Sequence, residues 1–197
     1  MNNNNTKRIV AILIIICLSI GGGVAINEIW NILERHTHPI DYADIISSAS
    51  REFDVPEYII YATIKVESDF DPMAMSSAGA LGLMQIMPST FEDLTSDEHL
   101  DENLSTRKLD DPKVNIRYGT YYLSYLYKKF DYNWDTAFAA YNGGETRVTA
   151  WLKDPDYSDL NGNLTNIPLK ETKNYVKKIN SAIEIYKKLY PETINMN

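Results

Sequence analysis

The sequence predicts an all-α fold, with little or no β structure, preceded by one N-terminal transmembrane helix or signal segment. Three observations lead there. Apolar residues recur at helical spacing through most of residues 40–197, most regularly at Ile116, Gly119, Leu123, Leu126 and Phe130. No segment with the two-residue period of a strand exceeds four residues. Residues 9–26 form an uncharged, isoleucine-rich run directly after Lys7-Arg8. The chain has 197 residues, enough for one ordinary domain and an appendage.

Residues 1–8 are polar and basic at their end, as expected of a cytoplasmic N-terminus. Residues 9–30 read as a membrane anchor or a signal segment. For a cleaved signal peptide, Gly23-Val24-Ala25 supplies small residues before a cut. For an anchor, the run extends past Asn27 and Glu28 to Ile29-Trp30, which just reaches spanning length and sets an indole at the interface. The anchor is the preferred reading: a single pass in the cell membrane, with the rest of the chain outside. The alternative is a protein secreted after cleavage. Cys17 follows Ile14-Ile15-Ile16 rather than a small-residue box, which argues against a lipoprotein. Residues 31–39 are a connector, with weak helical character from Asn27 onwards.

Residues 40–197 read as one domain. Ile40 to Phe53 is its first helix, with Ile40, Ala43, Ile46 and Ser50 on one face. Pro56 opens a second, since its missing N–H is an orphan in the first turn anyway. Ile60, Ile64 and Glu67 fall at i, i+4 and i+7, so this acid shares a face with two aliphatics. Asp71-Pro72 ends that helix, and residues 76–82 (SSAGALG) are small enough to let another group approach the backbone. Pro88 starts a short helix through Phe91 and Leu94. Residues 95–111 read as an acidic surface loop. Pro112 opens the helix that carries the regular stripe, where Gly119 allows a close helix crossing. Tyr118, Tyr121, Tyr122, Tyr125 and Tyr127 on this helix exceed what a core needs; packing and a sugar groove are both open to them. Trp134 to Asn142 is a helix stopped by Gly143-Gly144, Glu145 to Leu152 is another, and Asp154 to Pro168 is a turn-rich loop. Leu169 to Tyr190 is the last helix, with Val176, Ile179, Ile183 and Tyr186 inward.

Charge narrows the choice of partner. Lys7 and Arg8 are the only charged residues before Asn27, so residues 27–197 hold 17 basic and 27 acidic side chains, a formal −10. Such a surface does not neutralise phosphates, so no nucleic acid is expected as partner. A glycan must be held by shape, stacking and hydrogen bonds. The one cysteine excludes an internal disulfide. His36 and His38 read as linker and His99 stands apart, so no metal and no cofactor is expected. There is no GxGxxG, no phosphate loop and no Ser-His-Asp arrangement.

From periodicity alone, Glu67 is as much a surface residue as a working acid. The runs around it alter that balance. Glu67-Ser68 and Gly79-Ala80-Leu81-Gly82-Leu83-Met84-Gln85-Ile86-Met87-Pro88 resemble the catalytic core of lytic transglycosylases, the goose-lysozyme-like domains that cleave peptidoglycan. Asn115-Ile116 with Gly119, Tyr122-Leu123 and Phe130 resembles the family's buried central helix. Ala139-Ala140-Tyr141-Asn142-Gly143 and Glu171-Thr172-Lys173-Asn174-Tyr175-Val176 resemble its AYNxG and ETxxYV signatures. The matches run in the family's order from residue 56 to about residue 187, and residues 95–111 are the part they leave unconstrained.

The resemblance implies a lysozyme-like domain acting on peptidoglycan glycan strands. Glu67 would protonate the oxygen between N-acetylmuramic acid and N-acetylglucosamine, then take the proton of the C6 hydroxyl as that oxygen closes on C1. By the same resemblance Ser76, Gln85 and Met87 contact the sugars, and Tyr141 and Tyr175 position Glu67. Asn142 orders the turn at Gly143 or touches substrate; Ser68 touches substrate or only caps its helix. A usual glycosidase needs a second carboxylate. Asp69 points about 200° round the helix from Glu67 and Asp71 reads as a helix stop, so neither fits that part. A goose-type lysozyme and a non-catalytic glycan-binding module are the alternatives.

Overall fold

The computed structural model describes residues 3–96, 100, 104–159 and 161–191, with side chains from residue 19 onwards. It divides into two units, Met1–Pro39 and Ile40–Asn197, which are taken separately below.

The first unit is one helix, α1, Asn3–Thr37. It contains no proline, and it continues through most of the expected connector before ending at Thr37, directly before His38-Pro39. From residue 19 on it presents Ile20, Val24, Ile26, Ile29, Trp30, Ile32 and Leu33 outward. Among the described residues no helix is long and apolar enough to cross a membrane. Residues 9–18, half of the apolar run, lie outside those whose side chains are described.

The second unit is all-α. Its helices are α2 (Ala43–Phe53), α3 (Glu57–Ser68), α4 (Pro88–Thr95), α5 (Pro112–Lys129), α6 (Trp134–Gly143), α7 (Glu145–Trp151) and α8 (Lys170–Leu189), with a short 3-10 helix at Thr106–Asp110. Only isolated bridges, such as Leu81 with Ile86, represent β structure among the described residues. The stripe read on α5 is buried at every position, Ile116, Leu123 and Leu126 completely. Asp111 caps the helix by accepting from Lys113 N–H at 2.9 Å. Helix α5 packs on α2 and α6, α8 packs on α3 and α6, and α7 on α6. Ser124 Oγ donates to the Phe53 carbonyl at 2.7 Å, and Arg117 grips both oxygens of Glu52, which ties α2 to α5. Tyr61 of α3 stacks on Tyr186 of α8 at 5.4 Å.

Several expectations are corrected. Pro56 is the residue before α3 rather than inside it, and Ala43 on α2 is exposed. Helix α3 stops before Asp71-Pro72 because Asp69 and Phe70 both turn into the left-handed region, at φ 53° and 67°. Asp71 then accepts from Met73 N–H, a local turn. The stretch 95–111 is not merely a surface loop: Leu100 is buried and Leu109 is fully so. His99 lies outside the described residues. Gly119 admits the Met84 side chain, not a neighbouring helix; a Cβ there would stand 2.7 Å from Met84 Cβ.

Candidate active site

Glu67 lies in the last turn of α3, on the flank of two fully buried isoleucines, Ile60 and Ile64. Its side chain is half-buried, and one oxygen, Oε1, accepts a 2.6 Å hydrogen bond from the Tyr175 hydroxyl of α8. Burial pushes its pKa up to about 7, against the opposing pull of that phenol. The acid therefore keeps its proton near neutrality and can both give and take one. Asp69 is exposed and paired with Lys65, and Asp71 is engaged in its turn. Neither carboxylate is directed to Glu67.

The segment Leu81–Met87 is tied to the end of α3 that carries this acid, through Ser68. Ser76 Oγ accepts from Ala80 N–H at 2.9 Å, and Gly79, at φ 90°, completes that tight turn with open space where a side chain would be. Gly82 admits Asn115 and the Leu109 carbonyl, which would stand 2.6 Å from an added Cβ. Gln85 adopts φ 47°, and its amide nitrogen donates to the carbonyls of Ala74 at 3.0 Å and Gly82 at 2.9 Å. Its amide N–H groups thus brace the loop. Met87 emerges just before α4 with its side chain exposed.

Three helices hold the Leu83-Met84 backbone. Ser68, next to Glu67, donates to the Leu83 carbonyl at 2.8 Å and to Ile64 of its own helix at 3.2 Å. Tyr141 of α6 donates to the Met84 carbonyl at 2.7 Å. Asn115 of α5, only 1 % exposed, accepts from Met84 N–H at 2.7 Å and donates to the carbonyls of Leu81 and Leu109, each at 2.9 Å. Tyr141 thus reaches Glu67's surroundings through the loop, whereas Tyr175 touches the acid itself; burial and the Glu67 charge raise both phenols well above their ordinary range. Asn142 is exposed on α6, in a cleft of about 480 Å³ with Val66, Glu171, Asn174 and Tyr175.

Asn115 was not singled out as a site residue by the sequence. Its signal was a polar residue four positions before Gly119, at the head of an otherwise apolar stripe. Among the described residues no group of three His, Cys, Asp or Glu side chains could hold a metal.

A helical domain built around one desolvated glutamate and a braced Gly-rich loop defines a narrow class. The chain belongs to the transglycosylase SLT domain family, whose model matches residues 44–161. The soluble lytic murein transglycosylase of Salmonella typhimurium is 34 % identical over 163 residues, 82 % of this chain and 25 % of that protein. Membrane-bound lytic murein transglycosylase C of Cronobacter sakazakii is 32 % identical over 185 residues, 84 % of this chain and 51 % of that protein. The 70 kDa soluble lytic transglycosylase of Escherichia coli superposes with a TM-score of 0.73 at 31 % identity, over 83 % of this chain and 27 % of that one. An inactive Glu-to-Gln mutant of the Pseudomonas aeruginosa lytic transglycosylase Slt superposes at 0.69 and 32 % identity, over 81 % of this chain and 26 % of that one. The chain thus spans between a quarter and about half of the length of these relatives.

Proposed function

We propose that this chain is a peptidoglycan lytic transglycosylase. It breaks the β-1,4 bond between N-acetylmuramic acid and N-acetylglucosamine and leaves a 1,6-anhydro-N-acetylmuramic acid end. The observation that carries this reading is Glu67, half-buried beside aliphatic side chains, raised to about pKa 7 and held by a neutral phenol. Glu67 gives its proton to the glycosidic oxygen as the C1–O bond breaks. The substrate's own acetamido group stabilises the positive sugar. The resulting carboxylate then takes the proton of the C6 hydroxyl as its oxygen bonds to C1, which returns Glu67 to its starting form. A nucleophile within the same sugar gains the proximity that water lacks. Tyr175 orients the acid, and Tyr141 orients the loop tied to its helix. Ser76, Gln85 and Met87 line the sugar path, with Asn142 and Ser68 subsidiary to them. No metal or cofactor takes part.

Digestion of peptidoglycan in oxygen-18 water tests the reaction. The expected product carries no label and is lighter than a hydrolysed fragment by the mass of one water, roughly 18 Da, because the attacking oxygen is the sugar's own. Label at the new muramic acid end, with no anhydro species, assigns a goose-type lysozyme instead. Binding of strands without any cleavage assigns a non-catalytic module.

We propose further that α1 holds this domain at the outer face of the cell membrane, with Lys7 and Arg8 inside. The reading is supported by the uncharged run and by outward apolar side chains as far as Leu33. The full-length protein is expected to stay with membranes through a high-salt wash. Recovery of a soluble form beginning near Ile26 contradicts the anchor and marks a cleaved signal.

A further inference from the structure

Helix α8 departs from the charge of the domain around it. It carries six lysines and two glutamates, on a domain whose excess is acidic. One side of it is core: Tyr175, Val176, Ile179, Ile183 and Tyr186 are buried. The opposite side follows the spacing i, i+3, i+7, i+11, i+14 and i+18. It reads Lys170, Lys173, Lys177, Ser181, Glu184 and Lys188, all of them exposed. At 1.5 Å per residue this stripe is about 27 Å long.

The acids beside the stripe are engaged. Glu184 stands 3.6 Å from Lys187, whose ammonium also lies over the Tyr58 ring at 4.6 Å. Asp135 accepts from the Asn180 amide at 2.8 Å, and Asp69 is paired with Lys65. Lys173 donates to the neutral Asn166 at 3.0 Å. Lys170, Lys177 and Lys178 enter no salt bridge among the described residues. The first half of α8 therefore turns four ammonium charges to solvent. Lys170 sits at the positive end of the helix dipole, and Lys173 and Lys177 repel each other one turn apart. The fold gains nothing from this arrangement.

A long row of ammonium groups fits a flat array of phosphates. Chain continuity makes a lipid surface the occupant. The segment read above as a membrane anchor leads into the domain at Ile40. Asp41, the next residue, lies near the C-terminal half of α8: burial first, and then neighbouring charges that include Asp41, push the Tyr186 phenol up. A tether holds the bilayer at high effective concentration, so a few lysines suffice to keep one face down. Acids on the far side of the domain do not cancel them, since fields are screened beyond about 8–10 Å at physiological salt.

We propose that the lysine face of α8 seats the domain on anionic lipid headgroups. Lys177 and Lys178 border the cleft that holds Asn142 and Tyr175, so the seated stripe sets that cleft at headgroup level. Strands close to the bilayer are then the ones within reach. The seat rests on the membrane reading of α1 and leaves the chemistry at Glu67 as it is.

The test uses the full chain in lipid nanodiscs, of phosphatidylcholine alone or with about one third phosphatidylglycerol. Lysines are acylated briefly with an N-hydroxysuccinimide ester, and the extent at each is read by mass spectrometry. Phosphatidylglycerol is expected to slow Lys170, Lys173 and Lys177 by about threefold or more. Lys108 and Lys128, exposed on other elements, are expected to react as before. The protection should vanish in about 1 M salt, where screening acts within roughly 3 Å. Lys170→Gln together with Lys173→Gln is expected to abolish the slowing at Lys177. Lys108→Gln with Lys128→Gln, the same change in net charge, should leave it. Equal rates in both lipids, equal slowing at Lys108 and Lys128, or slowing at Lys177 that survives the first pair overturns the seat and leaves the anchor standing. Protection by soluble polyphosphate in neutral nanodiscs, with none from phosphatidylglycerol, assigns the stripe to a free polyanion and overturns the seat as well. A chain that high salt washes off neutral nanodiscs overturns the anchor, and the seat with it.

Discussion

Glu67→Gln is expected to leave a folded domain whose turnover of peptidoglycan has fallen by about a thousandfold. An amide can accept the Tyr175 hydrogen bond but has no proton to give the leaving oxygen, and a positioned acid contributes on the order of 10²–10⁴. The same change has a second effect, of opposite sign. The Glu67 pKa is raised from 4.5 to about 7 in the folded domain. Between those values the folded state binds the extra proton, so unfolding becomes easier as pH rises through that window. The loss approaches roughly 3 kcal/mol above pH 7. Glutamine removes the charge and with it the loss. The variant should therefore match the parent below pH 4.5 and be the more stable at pH 8. Turnover by the parent should decline as pH rises through about 7, as the acid form of Glu67 disappears. Full activity in a purified Glu67→Gln protein defeats the assignment. Asp69→Asn and Asp71→Asn remove an exposed ion pair and a turn, and should be far milder. A loss at either that equals the Glu67 loss calls for a two-carboxylate hydrolase.

The second large effect lies away from the acid. Asn115→Ala takes away the hydrogen-bond partner that Met84 N–H and the Leu109 carbonyl have among the described residues, and it leaves a void beside Gly82. The Leu81 carbonyl keeps its bond from Ile86 N–H at 3.0 Å. Two buried orphans and a small cavity should cost on the order of 3 kcal/mol in denaturant unfolding, with activity lost as the segment tied to the end of α3 loosens. A cost under about 1 kcal/mol shows that the loop does not depend on this clamp. Gly82→Ala meets the Asn115 amide and the Leu109 carbonyl, at a φ of 74° that L side chains rarely adopt. Adding Asn115→Ala to it should relieve the first clash only. The two costs are then less than additive, and simple additivity contradicts the contact.

Much of the site could be read before any folding was considered. The i, i+4, i+7 spacing of Ile60, Ile64 and Glu67 sets the acid against apolar neighbours in any helix, since 3.6 residues make a turn. The α5 stripe, the stop at Gly143-Gly144 and the small residues of 76–82 are likewise local, because they depend on backbone freedom and periodicity within a few residues. The family's order of motifs was legible in the same linear way.

What sequence alone determined, then, is the helical class, the position of the acid on its helix and the residues it is grouped with. Which side chain touches which was decided by the tertiary fold. Tyr175, 108 positions away, bonds to Glu67 itself, while Tyr141 and Ser68 act on the Met84 and Leu83 carbonyls instead. Gln85 spends its amide N–H groups on Ala74 and Gly82, and Gly119 makes room for Met84. Asn115, which looks like an interruption of an apolar stripe, becomes the clamp of the whole loop. The reason is that a buried backbone amide or carbonyl must find a partner wherever the fold places one. That demand is met across 31 or 57 residues as readily as across four, and no local pattern records it.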